Sequence, residues 1–311
     1  SVSARMLSDV PVGAFLSGGI DSSLIAAMMQ RSSVKKIKTF TMGFNEEGYD
    51  ESQQARSVAE HLKTEHTELI VTADLAMDVI PLLPTIYDEP FSDSSQIPTY
   101  LLSKMTANYV TVALSGDAGD EVFGGYNRHV STLKLWQRIK NIPLPIRTKI
   151  SSIVMAISPR SFGAIYNYLI KITSLIERIE HFPDKAQKLA KILRCGSLDE
   201  IYLSLVSIWD DPDSLMINVH EPNTLANNIT EYPRLDYFEH SMMLLDTQTY
   251  LPGDILTKVD RASMGVSLET RLPFLDRDVF EFAWSLPLNY KIKDNQGKYI
   301  LRSILSRHVP R

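Results

Sequence analysis

Two hydrophobic periods share the first 120 positions. Val12–Phe15 is a short apolar run, and Ile37–Phe44 alternates apolar with polar residues and is rich in β-branched and aromatic types, so both read as strands. Glu68–Val71 and Tyr109–Leu114 read the same way. Between them apolar residues fall at helical spacing: Leu24–Met29, then Ala55, Val58, Ala59 and Leu62 behind a cap at Asp50–Ser52, then 75–87 and 97–108. Strands alternating with helices predict an α/β fold, a parallel twisted sheet with helices on both faces. Beyond about Tyr126 the strand signal fades. Helical periodicity continues over 131–141, 147–157, 162–179, 184–194, 197–209, 237–249, 275–285 and 297–308, punctuated by prolines, with 218–233 the least regular stretch. The expected division is a nucleotide-binding α/β domain over 1–127 and a mainly helical region over 128–311.

Two stretches carry most of the chemistry. In Val12-Gly13-Ala14-Phe15-Leu16-Ser17-Gly18-Gly19-Ile20-Asp21-Ser22-Ser23 a strand stops at a glycine turn and restarts as a helix. Free N–H groups and the helix dipole there point at one place and favour an anion. The usual phosphate loop is excluded, because Gly19 stands where that motif needs lysine. The acidic Asp21 would repel polyphosphate, so the loop implies Mg²⁺ shared between carboxylate and phosphate. Leu114-Ser115-Gly116-Asp117-Ala118-Gly119-Asp120-Glu121 repeats the plan, with three acids in five residues that repel unless a cation separates them. Ordinary helix capping also explains each stretch taken alone. Two such turns at the carboxyl edge of one sheet make a shared metal–pyrophosphate site the sharper expectation.

Composition narrows the class. With 32 basic against 37 acidic residues the net charge is −5, and no duplex-binding surface is expected. The single cysteine, Cys195, precludes an intrachain disulfide and a cysteine-built metal site, and is expected to be buried or incidental. The seven histidines show no metal-ligand spacing and read as surface or structural. No apolar run approaches a membrane span and no signal peptide is legible, so the expectation is a cytoplasmic protein without membrane partners.

Ser17-Gly18-Gly19-Ile20-Asp21-Ser22 resembles the S-G-G-x-D-S pyrophosphate loop of N-type ATP pyrophosphatases, whose fold is adenine nucleotide alpha hydrolase-like. The segment 115–126 matches S-G-[DE]-x-x-D-E-x-F-x-G-Y. The segment 250–276 matches L-P-x-D-x-L-x-K-x-D-R-x-S-M followed by S-L-E-x-R-x-P-F-L-D. Together they resemble the synthetase domain of glutamine-hydrolysing asparagine synthetases. The resemblance implies ATP and Mg²⁺ as cofactors, with Asp21 and Asp120 as metal ligands. It implies nucleotide contacts from Ser17, Gly18, Gly19, Ser22, Ser115 and Gly116, an adenine pocket lined by Leu16 and Met42, and Asp117 beside an acyl-adenylate. It also implies that 250–276 returns to the active site, where Asp260 and Arg261 would build a wall and Glu269–Arg271 would be structural. From composition alone this stretch reads as a helix followed by a loop.

The activity implied is adenylation of the aspartate side-chain carboxylate and amidation by ammonia. The partners implied are aspartate, ammonia and an N-terminal glutaminase domain; a homodimer is left open. Asp88–Ser95 is either an acceptor-recognition segment or a capping loop. It lacks the arginine some family members carry there, which leaves the acceptor open. The alternatives are a family amide ligase acting on another carboxylate, such as a sugar acid or antibiotic precursor, and a catalytically incomplete nucleotide-binding fragment. Both ends look cut. The family's R-x-K-x-G-F segment would follow Arg311, so the 311 residues alone are expected to show little synthetase activity until that segment is restored.

Overall fold

The computed structural model describes residues 1–44, 52–158, 161, 182–209, 214, 217–218, 224–225 and 235–310. The expected cap at Asp50–Glu51, the expected helix at 162–179 and most of 218–233 lie outside them. The chain divides into two compact units, Ser1–Asn127 with Leu235–Arg311, and Arg128–Arg234. The helical region expected over 128–311 is therefore split. Its last 77 residues, 235–311, belong to the same unit as the first 127, because side chains from that stretch complete that unit's core.

The first unit is built on a five-stranded parallel sheet: β1 (Val12–Phe15), β2 (Lys38–Phe44), β3 (Glu65–Val71), β4 (Val112–Leu114) and β5 (Glu269–Arg271), in the order β3-β2-β1-β4-β5. Alternation sends successive side chains to opposite faces. On one face Ala14, Leu16, Val112 and Leu114 pack with Leu24, Ile25 and Met29 of the Ile20–Ser32 helix, with Ala55 and Val58 of the Ser52–Leu62 helix, and with Leu251, Phe274, Ala283 and Leu301 from the far end of the chain. On the other face Phe40 and Ala113 pack with Val110 and Leu268. Helix Gln96–Ala107 lies against helix Thr257–Met264, whose Ala262 joins Tyr100 and Leu101 in a smaller cluster beside Met42. Both faces are covered, as expected for an all-parallel sheet.

Several elements differ from the periodicity reading. The strand expected at Tyr109–Leu114 shrinks to Val112–Leu114, because the Tyr109 and Val110 N–H groups still bond Thr106 O of the preceding helix. The 75–87 helix is three pieces, Ala73–Val79, a 3₁₀ turn Ile80–Leu82 and Leu83–Tyr87; Pro81 and Pro84 each start a new piece because they lack an N–H. The fifth strand went unread, being three residues long and held by its distant partner β4. Before it, Leu251–Leu256 winds as a π-helix that continues into Thr257–Met264.

The second unit contains the helices Leu144–Ala156, Phe182–Leu193 and Leu198–Val206 and most of Asn127–Ile139. Ile139, Ile192, Cys195 and Ile201 form its core. Buried Arg147 donates from Nη1 to Cys195 O (2.8 Å) and from Nε to Ile142 O (3.0 Å), and its guanidinium stacks over Trp136 at 5.5 Å. Cys195 is buried, and burial pushes its thiol up to about 11, so it is a packing residue. Among the described residues no helix is long and apolar enough to cross a membrane.

Candidate functional site

β2 and β3 lie to one side of β1, and β4 and β5 to the other, so the chain reverses its winding between β1 and β4. Crevices at such switch points bind ligands. Ala14 is level with Leu114 in the register, so the Ser17–Gly19 and Ser115–Gly116 turns leave the sheet side by side. Gly18 has φ +78°, and a Cβ there would lie 2.6 Å from Gln54 Cβ and 2.7 Å from Ala55 N. Glycine therefore lets the first turn fold flat against the Ser52–Leu62 helix. Gly119 lets the second turn approach the first: its Cβ would lie 2.6 Å from the Asp21 carboxylate. Within the first turn Ser17 N–H donates to Ser22 Oγ (3.1 Å), the two hydroxyls meet at 2.9 Å, and Gly19 N–H donates to Ser17 Oγ (3.2 Å).

The turns open on a cleft of about 560 Å³. Leu16, Ser17, Gly19, Asp21, Ser22 and Met42 line it on one side; Ser115, Gly116, Asp117, Asp120, Glu121 and Tyr126 line it on the other; Ile255, Lys258 and Val259 close it. Of the residues expected from sequence, Gly18 shapes the turn without lining the cleft. Asp260 and Arg261 are exposed and do not line it either, because the helix turns Lys258 and Val259 inward and those two outward. Arg261 Nη1 instead pairs with Asp88 Oδ2 at 2.7 Å. Lys258 Nζ pairs with Asp93 Oδ2 at 2.5 Å, so the Asp88–Asp93 loop is tied to this helix at two points one turn apart.

Asp21 and Asp120 face one point. The ammonium of Lys298 bonds Asp21 Oδ2 and lies 2.7 Å from Asp120 Oδ1. Lys298 comes from the far end of the chain, caps helix Tyr299–Leu305 in the left-handed region (φ 57°), and is fixed by its N–H on Phe123 O (3.1 Å). Burial pushes Asp21 up to about 6, against the pull of Lys298; Asp120 and Asp117 push the same way as burial. Burial works to lower Lys298, but the two carboxylates prevail and hold it above the ordinary lysine value. Asp117 is raised by burial and accepts a bond from Ser115 Oγ. Glu121, 1% exposed, is pushed up to about 7 by burial despite the Tyr126 hydroxyl donating to its Oε1 at 2.6 Å.

Mg²⁺ fits this arrangement. Two carboxylates already converge on one positive charge, and Asp21 Oδ1 is buried without a hydrogen-bond partner. Among the described residues no group of three or more His, Cys, Asp or Glu could hold a metal by itself. Mg²⁺ commonly takes one or two carboxylates and completes its shell with substrate phosphates and water.

Lys298 and the hydroxyl of Tyr126 were given no role from sequence, and Glu121 stood there only as one of three mutually repelling acids. Lys298 reads there as one more helix-face lysine; the only local hint is its place directly after Gly297 at a helix start.

A family model described as asparagine synthase matches residues 1–311. Asparagine synthetase [glutamine-hydrolyzing] 1 of Bacillus subtilis is 33% identical over 319 residues, covering 100% of this chain and 46% of that protein. A putative asparagine synthetase [glutamine-hydrolyzing] of Mycobacterium tuberculosis is 33% identical over 310 residues, covering 100% and 44%. A putative asparagine synthetase [glutamine-hydrolyzing] 2 of Methanocaldococcus jannaschii is 41% identical over 162 residues, 49% of this chain and 31% of that protein. The chain spans less than half the length of each.

Proposed function

The chain belongs to the asparagine synthase family, and on that premise we propose that it is the synthetase part of a glutamine-hydrolysing asparagine synthetase, an ATP-dependent carbon–nitrogen ligase. The observation that supports this most is the convergence of Asp21 and Asp120, from turns at neighbouring strand ends, on one cationic point.

In this reading Leu16 and Met42 receive the adenine, and Ser17, Gly19, Ser22, Ser115 and Gly116 receive the phosphates. Asp21 and Asp120 would hold Mg²⁺, which when bound supplies charge neutralisation for the departing pyrophosphate. Lys298 adds a fixed ammonium beside the same oxygens, pre-oriented by its two carboxylate partners. The side-chain carboxylate of aspartate attacks the α-phosphorus, forming an acyl-adenylate and releasing pyrophosphate into the glycine turn. Ammonia then attacks the acyl carbon, giving asparagine and AMP, with a proton released. Asp117, at the end of β4 beside Ser115, flanks the acyl group. Asp260 and Arg261 contribute from outside the cleft, Arg261 by holding the Asp88 end of the loop. The walls keep water from the adenylate. A glutaminase domain would supply ammonia, and the setting would be the cytoplasm.

The test is release of AMP and pyrophosphate by the natural gene product that contains this chain. The expected result is stoichiometric release that requires aspartate together with ammonia or glutamine. Release with a different carboxylic acid and not with aspartate would overturn the aspartate assignment, and release with none would overturn the ligase reading.

A further inference from the structure

Lys298 already meets both carboxylates proposed to hold the ion, and the backbone around it is built to keep it there. The residue is 8% exposed; its ammonium bonds Asp21 Oδ2 and lies 2.7 Å from Asp120 Oδ1. Its main chain is held on both sides. The Lys298 N–H donates to Phe123 O (3.1 Å), Arg302 N–H donates to Lys298 O (2.9 Å), and Arg302 Nε donates to Gly297 O (3.0 Å). Two glycines let this loop cross the segment that carries Asp120. A Cβ on Gly297 would overlap Gly124 O, and one on Gly125 would overlap both Asp120 Oδ1 and Lys298 Cε. The other oxygen of Asp21, Oδ1, is buried with no hydrogen-bond partner.

A tethered ammonium on these two carboxylates treats a free divalent cation and a phosphate-bound one differently. Mg²⁺ arriving alone gives up hydration water, which it does reluctantly. It must then share Asp21 and Asp120 with a like charge in a poorly solvated pocket, or push that charge off them, and both oppose binding. Among the described residues no group of three or more His, Cys, Asp or Glu offers it further ligands in compensation. A polyphosphate removes the conflict. Some of its oxygens fill the shell of the metal, and others receive the Lys298 ammonium, so each cation gains anionic partners. Resting on the shared-ion reading above, we propose that Lys298 is a specificity residue that bars free divalent cations from Asp21 and Asp120 and admits them as complexes with a polyphosphate. The metal then arrives with the nucleotide and leaves with pyrophosphate, after which Lys298 again satisfies both carboxylates.

The experiment titrates Mn²⁺, which takes the same oxygen ligands as Mg²⁺, into the natural gene product with and without pyrophosphate. Free ion is counted by electron paramagnetic resonance. Wild type is compared with Lys298→Met, Lys298→Arg and Lys298→Met combined with Asp21→Asn, all matched for folding by their thermal transitions. Wild type is expected to bind the pyrophosphate complex about a hundredfold tighter than the bare ion, and Lys298→Met to bind the bare ion about tenfold tighter than wild type does. The pyrophosphate complex should bind Lys298→Met no tighter than wild type. Lys298→Arg keeps the charge and should gain nothing for the bare ion, and adding Asp21→Asn should cancel the gain of Lys298→Met. Unchanged bare-ion affinity in Lys298→Met, equal gains for bare ion and complex, the same gain in Lys298→Arg, or a gain that survives Asp21→Asn would overturn the proposal. So would wild type binding bare Mn²⁺ as tightly as the complex, a result that needs no variant to fold. The shared-ion reading has its own readout. It stands if wild type needs Mn²⁺ to bind pyrophosphate, whatever Lys298→Met does; if wild type does not, that reading falls and this proposal with it.

Discussion

Glu121 shows what burial costs a single carboxyl in this cleft. It is raised from the ordinary glutamate range to about 7, first by burial and then by Asp120 and Asp246, against the Tyr126 bond. A raised acid holds its proton more tightly folded than unfolded, so between about pH 4.5 and 7 the native state binds more protons and stability falls as pH rises. The shift corresponds to about 3 kcal/mol at most across that window. Glu121→Gln keeps the acceptor for Tyr126 and removes the charge. Urea titrations from pH 4.5 to 7.5 should show wild-type stability declining by about 2–3 kcal/mol relative to the variant, and parallel curves would contradict the assignment. At this scale the sequence was a good guide where chemistry is local. Asp21, Asp117 and Asp120 were legible because acids in a glycine turn are conspicuous. Lys298 was not singled out as an active group, since a lysine on a helix looks the same whether its tip meets water or two buried carboxylates.

The two turns work as elements only because they can touch. Gly18→Ala forces a Cβ into a left-handed backbone and against the neighbouring helix at 2.6–2.7 Å. It should cost about 2–4 kcal/mol in stability, combining backbone strain with overpacking. Gly119→Ala has no such backbone penalty and instead places its methyl 2.6 Å from the Asp21 carboxylate. Its thermal transition should move only a few degrees while Mg²⁺-dependent nucleotide affinity falls at least tenfold. Calorimetric melting and titration on the same two variants separate these outcomes. Strand–turn–helix units such as β1 with Ile20–Ser32 could be read from sequence because one hydrophobic period gives way to another at a glycine. The short β5 could not, since Glu269–Arg271 has no pattern of its own and is a strand only by pairing with Val112–Leu114.

For the whole molecule, the first 127 residues do not make a finished unit. Leu251, Phe274, Ala283 and Leu301 are all buried in the core on one sheet face, β5 covers the β4 edge, and Lys298 pairs with the cleft carboxylates Asp21 and Asp120. Burying the three large side chains among them, Leu251, Phe274 and Leu301, is worth on the order of 5–9 kcal/mol, comparable with the whole stability of a domain. A polypeptide of residues 1–127 should therefore lack a cooperative thermal transition and bind no nucleotide, whereas 1–127 joined to 235–311 should regain both. Circular dichroism melting with a fluorescent ATP analogue reads this out. The helical character of the second half was visible in its periodicity. Its division was not, because which helices return to the sheet depends on long-range packing that a periodic pattern does not encode.

In the proposed site Asp21 and Asp120 serve one shared ion. Isothermal titration of pyrophosphate with and without Mg²⁺, on wild type, Asp21→Asn, Asp120→Asn and the double variant, tests it most directly. Wild-type binding is expected to depend on Mg²⁺, either substitution to weaken it at least tenfold, and the two combined to cost little more than one. Wild-type affinity retained in Asp120→Asn, or losses that simply multiply in the double variant, would contradict it.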